Sequence, residues 1–139
     1  MMPSSRCGKV PTTRAKLPTC VLIIDDELLV RWSLSTGLRL AGFHAITASS
    51  SAEALSLARQ PPHPDIVLLD SRLYGTDPAG LLVDLRFAAP RCRFVILTTS
   101  GHETQAPHWD GITVITKPFD LADVVRVVGA TLGLPACPA

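Results

Sequence analysis

Val67-Leu68-Leu69-Asp70 is an apolar run that ends in a carboxylate, and distant segments carry the groups that complete a site around that acid. Val21-Leu22-Ile23-Ile24-Asp25-Asp26-Glu27 is a second apolar run ending in acids. Val114-Ile115-Thr116-Lys117-Pro118-Phe119 brings an ammonium, and Phe94-Val95-Ile96-Leu97-Thr98 brings a hydroxyl. Strands buried on both faces of a parallel sheet read as continuous apolar runs. Four such runs, each with its first reactive side chain at the C-terminal end, predict a parallel sheet with one functional edge, the edge at which open α/β sheets bind ligands.

Composition sets the bounds. A chain of 139 residues that is 47% hydrophobic supports one domain with a single core. Arg6, Lys9, Arg14 and Lys16 fall within residues 1–18, which hold no acid. Taking those four from thirteen basic residues leaves nine against twelve acids, so the body carries about −3. That balance argues against a direct nucleic-acid surface. No run approaches the ~18 apolar residues of a membrane span, and the N-terminus lacks the apolar core of a signal peptide. Cys7, Cys20, Cys92 and Cys137 show neither a CxxC pairing nor histidines at zinc-ligand spacing. They read as small core or surface thiols in a reducing compartment, and the expected location is cytoplasmic.

In chain order, residues 1–18 lack apolar periodicity and read as a disordered basic leader. The first strand covers Cys20 to Ile24, and a helix follows from about Glu27 or Leu28 to Ala41, with Val30, Leu34, Leu38 and Ala41 on one face and Gly42 ending it. Phe43 to Ala48 is a second strand, and Ser50-Ser51-Ala52-Glu53 spells a capping box for a helix that Pro61-Pro62 cannot extend. Asp65 to Asp70 is the third strand. Asp77-Pro78 supplies an N-cap and a proline at the first position of a helix running to about Ala89. Phe94 to Thr98 is the fourth strand, His102 to Asp110 a weak helix, and Thr113 to Thr116 the fifth strand. Asp120 caps the last helix, whose buried face is Leu121, Val124, Val125, Val128 and Leu132. Residues 134–139 form a short tail. The alternation predicts an α/β domain over 19–133 with a doubly wound, five-stranded parallel sheet and helices on both faces. Trp32 and Trp109 are expected to pack on helix faces. His63, His102 and His108 fall in or beside loops and read as solvent-facing.

Asp25, Asp26 and Asp70 at strand ends place three carboxylates together, and like charges so placed repel unless something compensates. A divalent cation does so, and an all-oxygen site with few protein ligands suits Mg²⁺. Lys117 would neutralise charge on a group carried by Asp70, and Thr98 would donate to the same group. Such a set describes covalent attachment of a phosphoryl group to Asp70, with the protein contributing positioning and electrostatics.

The chain resembles the receiver domains of bacterial two-component response regulators. The likeness is carried by Val21 to Glu27, Ile66-Val67-Leu68-Leu69-Asp70 with Arg72-Leu73 and Gly75-Thr76-Asp77, Val95-Ile96-Leu97-Thr98-Thr99, and Lys117-Pro118-Phe119. It implies a flavodoxin-like sheet in the order 2-1-3-4-5 and a phosphoacceptor Asp70. It also implies Mg²⁺ held by Asp26 and Asp70, with Asp25 acting through water and the Arg72 backbone carbonyl as a further ligand. Thr98 and Lys117 would contact the phosphoryl group, delivered by a histidine kinase or phosphotransfer protein. The output would be a phosphorylation-dependent population shift read by a separate protein target, with a phosphorylation-dependent homodimer as one further option. On this reading the domain is a signalling module rather than an enzyme.

Three positions depart from the family pattern. The family usually carries Pro four residues and Gly eight residues after the acceptor, where this chain has Tyr74 and Pro78, and often an aromatic three residues before the lysine, where this chain has Val114. These departures keep open a receiver-like interaction module that takes no phosphate. A haloacid dehalogenase-like phosphohydrolase also uses an aspartyl phosphate and Mg²⁺, but it needs a second Asp two residues after its nucleophile, and Arg72 stands there.

Overall fold

A computed structural model describes residues 19–73, 77–99 and 112–134 of the chain. Strands β1 (Cys20–Ile24), β2 (His44–Ala48), β3 (Ile66–Asp70), β4 (Arg93–Thr99) and β5 (Thr113–Lys117) pair in parallel in the order β2-β1-β3-β4-β5. The helices are α1 (Leu28–Leu40), α2 (Ser51–Ala58), α3 (Pro78–Ala88) and α4 (Leu121–Thr131). This is the expected doubly wound 2-1-3-4-5 sheet. The expected leader, the weak helix from His102 to Asp110 and the tail beyond Leu134 lie outside the described residues.

Side chains alternate across a strand, and here both faces are covered. On one face Leu22, Ile24, Val67, Leu69 and Ile96 pack against Ala54 and Ala58 of α2 and Leu81, Leu82 and Leu85 of α3. On the other, Val21, Ile23, Leu68, Val95 and Leu97 pack against Leu34 and Leu38 of α1 and Val124 and Val128 of α4. Every residue of β1 and β3 is therefore buried, which is why those strands read as unbroken apolar runs. The edge strand β5 buries only Ile115.

Local signals fix the connections. Gly42 follows α1 at φ 100°, a left-handed conformation that glycine adopts without a Cβ penalty. Two N–H groups close that end, Gly42 onto the Arg39 carbonyl and Phe43 onto the Leu38 carbonyl. Ser50 Oγ accepts from the Glu53 N–H at 3.2 Å. The Glu53 carboxylate reaches past it to the Ser49 N–H at 2.8 Å, so the capping box is shifted one residue outward. Asp77 Oδ1 accepts from the Ala79 N–H at the start of α3. Helices α1 and α4 meet at Gly37, where a Cβ would collide with the Leu121 side chain.

Three expectations need correction. Asp120 occupies the N-cap of α4, yet its side chain makes no capping bond; its carbonyl accepts from the Asp123 and Val124 N–H groups instead. Ala41 is exposed because it lies past the last helical residue, leaving Leu34 and Leu38 to carry the buried face of α1. Trp32 is 64% exposed rather than packed. At 3.6 residues per turn it points about 200° around the helix from Leu34, away from the sheet. Trp109 lies outside the described residues.

Candidate functional site

The C-terminal ends of β1, β3, β4 and β5 share one edge, and the site is assembled there. Asp70 is the last residue of β3 and only 4% exposed. Asp25 follows β1, extends its ladder by an N–H bond to the Ala48 carbonyl, and is fully buried. Asp26, next in the chain, is exposed. One carboxylate oxygen from each of Asp25, Asp26 and Asp70 lies within 4.8 Å of the other two. Lys117, at the end of β5, sets its ammonium 3.4 Å from Asp70 Oδ1 and 3.9 Å from Asp25 Oδ2. Thr98 is fully buried near the end of β4, one residue beyond Leu97, the register partner of Asp70. The predicted site residues on these four strand ends are thus brought to one edge of the sheet.

Backbone donors hold two of the acids in place. The Glu27 N–H donates to Asp25 Oδ1 at 2.9 Å, and the Arg72 N–H donates to Asp70 Oδ1 at 3.1 Å. Asp25 Oδ2 is buried without a hydrogen-bond partner. Burial pushes the Asp25 carboxyl up to about 6. Neighbouring Asp70 adds to the rise, while the Glu27 N–H and the Lys117 ammonium oppose it. A buried, incompletely satisfied carboxylate beside two others is costly by itself. Hard oxygen donors crowded on a partly open edge fit a Mg²⁺ ion, which accepts few protein ligands and keeps several waters.

Two contacts were not legible in the residue pattern. Arg31 reaches back from α1 to donate to the Asp25 carbonyl at 2.7 Å, bracing the turn that carries the acids. Ser71, directly after Asp70, donates from its hydroxyl to Thr98 Oγ1 at 3.0 Å. Its position between an acid and an arginine gave no sign of the contact, which depends on strand register.

The family model for the response regulator receiver domain matches residues 21–129. The chain belongs to that family. It is therefore a receiver domain of two-component response regulators. It is 34% identical over 117 residues to regulatory protein AtoC of Escherichia coli (strain K12), a match covering 82% of this chain and 25% of that protein. It is 36% identical over 116 residues to transcriptional regulatory protein KdpE of Mycobacterium tuberculosis, covering 82% and 51%. The chain thus spans a quarter to a half of the curated relatives it matches. Among solved structures, a response regulator receiver protein from Burkholderia phymatum superposes with a TM-score of 0.71 at 29% identity, covering 85% of this chain and 98% of that one. Among the described residues of this receiver domain, no helix is long and apolar enough to cross a membrane. Of the family departures, Val114 is a partly exposed residue of β5 and Pro78 opens α3, whereas Tyr74 lies outside the described residues.

Proposed function

We propose that this receiver domain accepts a phosphoryl group on Asp70 from a histidine kinase or phosphotransfer protein and signals to a separate protein target. One observation carries the reading: the buried Asp70 sits beside the buried Asp25, the exposed Asp26 and the Lys117 ammonium, and one Asp25 oxygen there has no hydrogen-bond partner. The three clustered carboxylates support a Mg²⁺ site; the family resemblance assigns Asp26 and Asp70 as ligands that would hold the ion, with Asp25 acting through water and the Arg72 carbonyl as a further ligand. When bound, the ion supplies charge stabilisation for the oxygens of the transferring group.

In the transfer, an Asp70 oxygen forms a bond to phosphorus as the bond from phosphorus to the donor atom breaks, and the donor leaves with the electron pair. Lys117 compensates the dianion that results, and the Thr98 hydroxyl donates to one of its oxygens. The phosphorylated and unphosphorylated domains then differ in how they bind the partner, which is what shifts the population. The setting is cytoplasmic, with residues 19–133 as the receiver, 1–18 as a basic leader and 134–139 as a tail.

A second reading, an interaction module that takes no phosphate, draws on the aliphatic Val114 where an aromatic is usual. Intact-mass measurement separates the two. Acetyl phosphate with Mg²⁺ is expected to add one phosphoryl group to the wild type, and Asp70→Asn or EDTA to reduce the gain to nothing. No gain in the wild type under donor excess would support the second reading, and turnover of a small phosphate ester would point to a hydrolase.

A further inference from the structure

We infer that Ser71 is a positioning residue for the phosphoacceptor site, acting on the phosphoryl group only through Thr98. The inference rests on the reading of Asp70 as acceptor. Asp70 pairs with Leu97, and the Ser71 N–H continues that ladder by donating to the Leu97 carbonyl at 2.9 Å. Ser71 is therefore anchored to β4 beside Thr98, and the two side chains meet at 3.0 Å. Thr98 is wholly buried, and Ser71 is half-buried above it.

A hydroxyl donates once and accepts twice. With Ser71 donating to Thr98 Oγ1, one lone pair of that oxygen is occupied and the Thr98 proton is turned away from Ser71. Two consequences follow. The bond restrains the Thr98 side-chain rotation, so the hydroxyl stays beside the strand end that carries the acceptor. It also polarises the Thr98 O–H, because hydrogen bonds in series strengthen one another in a low-dielectric interior. A phosphoryl oxygen on Asp70 would then meet a donor that is already oriented. An alanine at position 71 keeps the main-chain bond to Leu97 and removes only this orientation. Threonine keeps the hydroxyl.

The test is a double-mutant cycle on the full chain, using acetyl phosphate with Mg²⁺ as donor and intact mass as readout. Wild type, Ser71→Ala, Thr98→Ala and the double variant are compared for the lifetime of the phosphorylated form after donor removal, with thermal melting as a check on folding. Ser71→Ala is expected to shorten that lifetime about fivefold, since one neutral hydrogen bond corresponds to a factor of roughly two to twelve. In the Thr98→Ala background the same change is expected to have no effect, and Ser71→Thr is expected to restore the lifetime to within about twofold of wild type. A Ser71→Ala lifetime equal to wild type overturns the inference while leaving Asp70 as acceptor intact. Equal losses with and without Thr98, or failure of Ser71→Thr to rescue in a folded protein, overturn it as well. A wild type that gains no phosphoryl group removes the acceptor reading itself, and this inference with it.

Discussion

The two ends of the sheet each hold a strand-end aspartate, and the two are treated in opposite ways. At the N-terminal edge, Asp65 is built into the scaffold: its Oδ2 accepts from the Cys20 N–H at 2.8 Å, its N–H donates to the Cys20 carbonyl, and its carbonyl accepts from the Arg93 N–H. At the C-terminal edge, Asp25 is fully buried with Oδ2 lacking a hydrogen-bond partner. An acid that caps a neighbouring strand stabilises the fold. A buried acid crowded by two others destabilises it unless a cation is supplied. The difference sets an acid used to hold the fold at one edge against an acid of the proposed phosphoacceptor site at the other.

The sharpest way to break this contrast is Asp25→Asn. The Asp25 carboxyl rises from the ordinary 3.8 to about 6, chiefly through burial. Between those values the folded protein holds more protons than the unfolded chain, so the neutral acid's contribution is complete below pH 3.8 and is lost as pH rises through 6. A shift of that size corresponds to about 3 kcal/mol at neutral pH. In EDTA at pH 7, Asp25→Asn is therefore expected to be more stable than wild type by roughly 2–3 kcal/mol in urea unfolding. The gap should close near pH 4, and Mg²⁺ should narrow it at pH 7. A variant no more stable than wild type in EDTA would show that the site tolerates the ionised acid at no cost.

The same asymmetry governs what could be read from the residues alone. β1, β3 and β4 were legible because both faces of the central sheet are covered, which leaves no polar alternation to confuse the pattern. Parallel strands ending together then place Asp25, Asp26, Asp70, Thr98 and Lys117 on one edge without any knowledge of side-chain detail. What escaped depends on register or on reach. The Ser71–Thr98 bond exists only because Asp70 aligns with Leu97, and Arg31 finds the Asp25 carbonyl from a turn away along α1. Trp32 is exposed because it stands two residues from Leu34 on α1, a phase that turns it away from the sheet. Residue type marks Asp120 as the cap but not the bond it makes, since its carbonyl, not its carboxylate, meets the first turn.

Asp65→Ala probes the structural edge, and a smaller effect is expected. Removing the carboxylate leaves the buried Cys20 N–H without its acceptor, a loss of about 1–2 kcal/mol. Because the acidic cluster that suits a cation lies at the opposite edge, the loss should be the same in EDTA and in Mg²⁺, and the phosphorylated fraction measured by intact mass should match wild type. A metal-dependent change in stability would mean that the two edges are coupled through β3, which joins them.

The smallest effect belongs to Cys20, the buried thiol beside Asp65. Burial, with the Asp65 charge adding to it, pushes this thiol from 9.0 to about 11. Like Asp25 it is a buried group held neutral, but its window lies in alkali. Below pH 9 both folded and unfolded chains keep the proton, so the thiol adds no pH dependence to stability. Above 9 the unfolded chain releases it first, and stability falls as pH rises toward 11. At pH 9.5 the loss relative to pH 7 should be about 1 kcal/mol, visible as a change with pH in the stability difference between wild type and Cys20→Ala in urea unfolding, a difference that stays constant from pH 6 to 8. A thiol that reacts with iodoacetamide in the native protein at pH 8 as fast as free cysteine would show instead that the quiet edge is open to solvent, and the contrast between the two ends would lose its structural half.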